Sequence, residues 1–152
     1  MQGYLDNKKE TENLIYVDKY NGERWARTGY IGYIDEDGFL FIEGRTRRVF
    51  FAGPEGTAYK IYPNIIEDLL YQDANSKEVV CISYRSERIL KIAVFLTLNQ
   101  TEKREIMIER LEKLTIELPK YMRPSRYMII DKLPVTDIEK IDYKKLEDMI
   151  NQ

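Results

Sequence analysis

Residues 77–98 read Lys77-Glu78-Val79-Val80-Cys81-Ile82-Ser83-Tyr84, then Arg85-Ser86-Glu87-Arg88, then Ile89-Leu90-Lys91-Ile92-Ala93-Val94-Phe95-Leu96-Thr97-Leu98. Two apolar runs of strand length flank four polar residues. Both are rich in β-branched and aromatic side chains, which pack well on a pleated surface. The pattern predicts strands over 77–84 and 89–98. Cys81, the single cysteine, lies inside the first run and reads as a small buried hydrophobe. The chain has no histidine. That removes the commonest general base and metal ligand, and leaves no imidazole to activate the thiol.

Working outward from this pair, Val49-Phe50-Phe51 and Tyr59-Lys60-Ile61-Tyr62 read as strands around the turn-rich Gly53-Pro54-Glu55-Gly56. Pro63 fits the first turn of a helix running to about Tyr71, with Ile65, Ile66, Leu69 and Leu70 at helical spacing. On the other side, residues 102–117 form an amphipathic pattern whose apolar face is marked by Ile108, Leu111, Leu114 and Leu118. Leu118-Pro119 ends it. Residues 127–131 predict a further strand, and Asp142 is placed to cap a last helix burying Leu146, Met149 and Ile150. From residue 49 the order is ββ-α-β-β-α-β-α. It predicts an α+β domain, a small mixed sheet flanked by helices.

The first third reads as a β segment. Residues 13–18 predict a short strand. Residues 30–34 and 39–43 predict a hairpin around Asp35-Glu36-Asp37-Gly38. Gly44-Arg45-Thr46-Arg47-Arg48 then breaks the pattern with charge, so a boundary is expected between 1–46 and 47–152. Trp25, Phe39, Phe41, Phe50 and Phe51 read as core and sheet packing. A length of 152 residues suits one domain with a small appendage, and 43% hydrophobic with 33% charged residues is an ordinary globular balance. The net charge of -2 supplies no field favouring nucleic acid or an anionic membrane. No apolar run approaches the roughly 20 residues of a membrane span, and the N-terminus has no signal-peptide pattern, so a cytoplasmic protein is expected.

One stretch looks like a device. In Leu133-Pro134-Val135-Thr136-Asp137-Ile138-Glu139-Lys140-Ile141-Asp142, a proline-and-threonine turn leads to one lysine and then to a helix cap. Such a layout holds a lysine at the tip of an anchored loop, where its charge can be delivered to a phosphate or carboxylate.

Four blocks then resemble the C-terminal part of the adenylate-forming enzymes: acyl-CoA synthetases, nonribosomal peptide adenylation domains and luciferases. Met1-Gln2-Gly3-Tyr4-Leu5 is similar to that family's Met-x-Gly-Tyr segment. Residues 25–39, starting Trp25-Ala26-Arg27-Thr28-Gly29-Tyr30, resemble its Trp-x-x-Thr-Gly-Asp segment and the hairpin after it. Gly44-Arg45 resembles the Gly-Arg-x-Asp hinge motif, and residues 59–67 the Gly-x-Lys-Ile-x-Pro-x-Glu-Ile-Glu that follows. Residues 134–146 are similar to the terminal Pro-x-Thr-x-x-Gly-Lys-x-Asp-x-x-x-Leu. Together the blocks cover essentially the whole chain, in family order. Met1 falls inside a motif, so the resemblance implies a piece of a longer protein: residues 1–46 as the final β segment of a large AMP-binding domain, 47–152 as a lid.

The resemblance also implies roles. Lys140 corresponds to the lysine that contacts the acyl carboxylate and α-phosphate during adenylation, with Glu139 where glycine is usual. Arg45 corresponds to an arginine on the nucleotide, and Tyr30 stands where an aspartate grips the ribose hydroxyls. Arg47 takes the hinge position. Gly53, Gly56 and Lys60 lie in the stretch that approaches the pantetheine arm, with Ala58 in place of a glycine. ATP or AMP with Mg2+, and CoA, are the implied ligands; the N-terminal AMP-binding domain is the implied partner. The implied whole is a fatty-acid–CoA ligase type of enzyme, inactive as this fragment alone. A carrier-protein-loading adenylation domain shares all four blocks. A degenerate, non-catalytic interaction module is the third reading, favoured by Tyr30, Arg47, Ala58 and Glu139.

Overall fold

The computed structural model describes residues 2–151; Met1, part of the first motif block, lies outside them. The chain divides into two compact units, Met1–Arg47 and Arg48–Gln152.

The first unit contains α1 (Lys8–Leu14), β1 (Ile15–Val17), β2 (Arg24–Ala26), β3 (Tyr30–Ile34) and β4 (Leu40–Arg45). β1 pairs antiparallel with β2, and β3 with β4, as two separate two-stranded sheets. The β3–β4 hairpin is the expected one, and Asp35 shapes its turn by accepting from the Asp37 and Phe39 amides. Residues 13–18 are only partly strand: Asn13 and Leu14 end α1. That helix has no apolar stripe. It starts because the Asn7 side chain accepts from the Glu10 amide, which satisfies an otherwise orphaned donor. No described residue of this unit is buried. Trp25 is 58% exposed, Phe39 66% and Phe41 46%, so these aromatics are not core. Tyr33 and Phe41 instead stack across the hairpin with ring centroids 5.2 Å apart.

The second unit contains β5 (Phe50–Pro54), β6 (Tyr59–Ile61), α2 (Pro63–Leu70), β7 (Ser76–Ser86), β8 (Ile89–Leu98), α3 (Arg104–Thr115), β9 (Arg126–Ile129) and α4 (Tyr143–Ile150). These follow the expected order and form a five-stranded mixed sheet. The path is β6-β5-β8-β7, and β9 joins β8 in parallel. β5 reaches Pro54, so Gly53 and Pro54 belong to a strand rather than to the loop.

The sheet is buried on both faces, which is why β7 and β8 read as unbroken apolar runs rather than alternating ones. One face holds Ile61, Ile66, Leu70, Cys81, Val94 and Leu111, under α2 and α3; the other holds Val80, Ile82, Phe95, Leu133, Leu146 and Ile150, under α4. Phe50 packs partly against the first cluster, whereas Phe51 is exposed. Two helical faces are turned from the expectation. In α2, Ile65 is 43% exposed and Glu67 is buried in its stead. In α3 the buried positions are Met107, Leu111 and Thr115, with Ile108, Leu114 and Leu118 packed at the margin. Thr115 tolerates burial because its hydroxyl bonds the Leu111 carbonyl and lies 2.9 Å from the Tyr127 hydroxyl. Burial pushes the Tyr127 phenol up to about 12, the Thr115 bond pulling the other way.

An ion-pair cluster ties α3 to the turn before β7. Arg110 donates to Asp73 at 2.6 Å and to Glu102 at 2.5 Å. The Arg110 hydrogen bond holds the Asp73 carboxyl below its ordinary range against the opposing effect of burial, and Glu102 is lowered by the same guanidinium. A carboxyl whose folded pKa is depressed contributes stability above its unfolded value of about 4 and loses it as pH falls through the folded value. The unfolding midpoint should therefore be level above about pH 5 and fall below about pH 4. In Asp73→Asn it should start lower and fall less steeply, as thermal melts across pH will show.

Candidate functional site

The lysine loop is a tight hairpin. Leu133, buried beneath it, anchors its entry, and Val135 bridges Ile141. The Thr136 amide donates to the Lys140 carbonyl at 2.8 Å, and the Glu139 amide to the Thr136 carbonyl at 2.9 Å. Thr136 Oγ1 accepts from the Lys140 amide at 3.3 Å. On the far side the Asp142 amide donates to Pro134 at 2.9 Å, while the Asp142 carboxylate accepts from the Lys145 amide and opens α4. The main chain around Lys140 is thus fixed on both sides. Lys140 is not at the tip, however; Asp137 and Ile138 form the tip and Lys140 is the first residue of the return strand. Its side chain is exposed, and among the described residues it has no hydrogen bond or ion pair. Glu139 does not pair with it.

Glu139 lies at φ +57°, the left-handed position that follows a turn in three-residue hairpins. This is the physical reason a glycine suits the place. An L-residue there costs roughly 1–2 kcal/mol, partly offset by the greater unfolded-state freedom of glycine. Glu139→Gly should therefore stabilise the chain by about 0.5–1 kcal/mol, read as a raised urea midpoint at unchanged slope.

Tyr30 and Arg45, 15 residues apart, are directly paired across β3 and β4. Arg45 donates from Nε at 3.0 Å and Nη2 at 2.6 Å to the Tyr30 hydroxyl, and its guanidinium carbon lies 5.0 Å from the Tyr30 ring centroid. A phenol is neutral, so the arginine is oriented without being neutralised. Its charge suits a phosphate, while the Tyr30 hydroxyl retains one proton to donate. Two ribose hydroxyls have no bidentate acceptor here.

Arg47 lies in a single 3-10 turn, Thr46–Arg48, at the division between the units. Its side chain is exposed and has no partner among the described residues. Gly53 and Gly56 have local reasons to be glycine. Gly53 sits at φ +126°, where a Cβ would meet the Ala58 backbone at 3.3 Å; Gly56 sits at φ +86° in open space. Lys60 is exposed on β6, with Nζ 5.3 Å from the Tyr62 ring centroid. Cys81 is buried beside Glu67, and burial, then the Glu67 charge, drive its thiol well above the ordinary range. It is an inert core side chain.

The sequence reading missed the partner of Glu67. Arg48 donates to Glu67 through two nitrogens, at 2.9 and 2.5 Å, and Glu67 Oε1 also accepts from the Cys81 amide at 2.8 Å. The one available signal was a carboxylate on the apolar face of α2, between Ile66 and Leu70.

No protein-family model matches the chain. Over 146 residues it is 33% identical to the 2-succinylbenzoate–CoA ligase of Listeria monocytogenes, covering 96% of this chain and 29% of that protein. It is 30% identical over 151 residues to the long-chain-fatty-acid–CoA ligase of Bacillus subtilis, covering 96% and 24%. Its fold matches the o-succinylbenzoate CoA synthetase of Bacillus subtilis, solved with the acyl-adenylate OSB-AMP, at a TM-score of 0.74 and 23% identity, over 100% of this chain and 28% of that one. The chain thus spans less than a third of the length of these relatives. By sequence the chain is homologous to acyl-CoA ligases over nearly its whole length, and its fold is that of the C-terminal region of adenylate-forming enzymes.

Proposed function

We propose that residues 47–152 are the moving lid, and residues 1–46 the last β segment of the large AMP-binding domain, of an ATP-dependent ligase joining a fatty-acid-type carboxylic acid to CoA in the cytoplasm. In the first step a carboxylate oxygen attacks the α-phosphorus of ATP and pyrophosphate leaves. In the second the CoA thiolate attacks the acyl carbon and AMP leaves. Negative charge gathers around the α-phosphorus in the first step, and the Lys140 ammonium stabilises it there. Arg45 and Tyr30 serve the nucleotide. Arg47 is the pivot between the two steps. Gly53, Gly56 and Lys60 line the approach of the pantetheine arm, Lys60 contributing charge and the two glycines the loop's shape.

The observation that carries this reading is a lysine whose backbone is locked by its own hairpin and whose ammonium has no partner among the described residues. Among the described residues no group of three or more acidic, histidine or cysteine side chains could hold a metal ion. No step here is routed through Mg2+. No helix among the described residues is long and apolar enough to cross a membrane.

The reading also makes the chain dependent on its partner domain. The complete ligase should form AMP and acyl-CoA from ATP, CoA and at least one of a panel of aliphatic and aromatic acids. The 152-residue chain alone should form neither. Turnover by the isolated chain, or a complete protein that no acid activates, would sink the reading.

A further inference from the structure

The two units part between Arg47 and Arg48, and the chemistry of these neighbours is opposite. Arg47 is exposed and has no partner among the described residues. Arg48 is fastened to three elements of the second unit. It makes the two-pronged bond to Glu67 on α2; Glu67 extends this to the Cys81 amide on β7; and the Arg48 guanidinium carbon lies 5.6 Å from the Tyr143 ring centroid. Burial disfavours the Arg48 charge, but the Glu67 hydrogen bonds and charge outweigh it, and its pKa is raised. Tyr143 is the first residue of α4 and follows Asp142, whose amide closes the Lys140 hairpin. Only Ile141 and Asp142 therefore separate the lysine from a ring held against the first residue past the pivot.

We propose that Arg48 is a positioning residue. Its clamp on Glu67 and Tyr143 ends the flexible hinge at Arg47 and holds the Lys140 hairpin in a fixed place relative to that hinge. This rests on the reading of Lys140 and Arg47 given above. The reason for an arginine is geometric. A guanidinium presents a planar fork to one carboxylate and a flat cationic face to a ring, which an ammonium cannot do together. With the clamp intact, rotation at Arg47 carries Lys140 as part of a rigid body. With it broken, the rotation is partly absorbed in the lid and the ammonium arrives misplaced, at a large cost in rate for a small displacement.

The test separates the two half-reactions in the complete ligase, using Arg48→Met, which keeps most of the stem, and Tyr143→Leu, which removes the phenol and keeps an apolar side chain. Because Lys140 serves adenylation alone, pyrophosphate exchange should fall about tenfold in both variants. Acyl transfer to CoA from supplied acyl-adenylate should change less than about twofold. A purely structural role would lower both steps by one common factor, and that result, or full pyrophosphate exchange in a ligase that Lys140→Ala disables, overturns the clamp. A second readout needs no activity. In the 152-residue chain carrying Tyr143→Leu, amide exchange at Thr136 and Asp142 should quicken by about tenfold relative to Leu96. Unchanged exchange there overturns the clamp even if Lys140 proves essential. If Lys140→Ala is fully active while exchange quickens, the clamp stands and the catalytic reading falls.

Discussion

Phe95→Ala should cost the chain about 3–5 kcal/mol and lower its thermal midpoint by roughly 15 °C or more. Phe95 is fully buried on β8, in the middle of the sheet, where β7 lies on one side and β9 on the other. Its ring belongs to the smaller of the two clusters, with Leu133, Leu146 and Ile150. That cluster seats α4 and the entry to the lysine hairpin, so the cavity opens beneath the functional loop. Phe95→Leu refills most of the space and should cost under about 1.5 kcal/mol. Melts of the two variants beside the parent chain check both figures; equal losses would mean that ring volume is not what holds the helix.

The sheet was legible in the sequence because β7 and β8 are covered on both faces. Burial on both sides makes an apolar run, and an apolar run of that length can be read directly. α1 was not legible, because Lys8-Lys9-Glu10-Thr11-Glu12 carries no apolar period; its trace is the Asn7 cap alone. The helical faces were legible to within about one residue. Burying Thr115 in preference to Ile108 depends on a hydroxyl partner, Tyr127, brought in by a strand that follows α3. The aromatics of the first unit were misread for a related reason: hydrophobicity predicts that a side chain will be covered, not what will cover it. Isolated two-stranded sheets are marginal in water, and Trp25, Phe39 and Phe41 have no core of their own unit to enter.

The site divides the same way. The turn, the lysine and the cap are contiguous, so the hairpin showed itself, although glycine's absence at Glu139 hid that a left-handed residue was needed. The Tyr30–Arg45 pairing followed from a spacing of 15 across a readable hairpin. The Arg48 clamp could not be read, since its partners stand at 67 and 143, joined only by the folded sheet.

Lys140→Ala should have the largest effect on activity. The side chain is exposed and makes no hydrogen bond or ion pair among the described residues, so its loss should leave stability unchanged to within about 0.5 kcal/mol. On the proposed adenylation role, what it removes is one positive charge held ready for the charge that develops on the α-phosphate and the attacking carboxylate. Losing one such preorganised group typically costs 100- to 1000-fold, roughly, in the chemical step. The loss should fall on kcat for adenylation, with KM for ATP little changed, because the other nucleotide contacts remain. Lys140→Arg keeps the charge but spreads and displaces it, and should recover only part of the rate.

The measurement that bears most directly on the account is exchange of labelled pyrophosphate into ATP, dependent on the acid substrate, by the complete ligase with and without Lys140→Ala. Exchange should fall about 100-fold or more at an unaltered melting temperature. Equal exchange rates in the two proteins would contradict it, and would leave the chain as a lid-shaped module without the adenylation lysine.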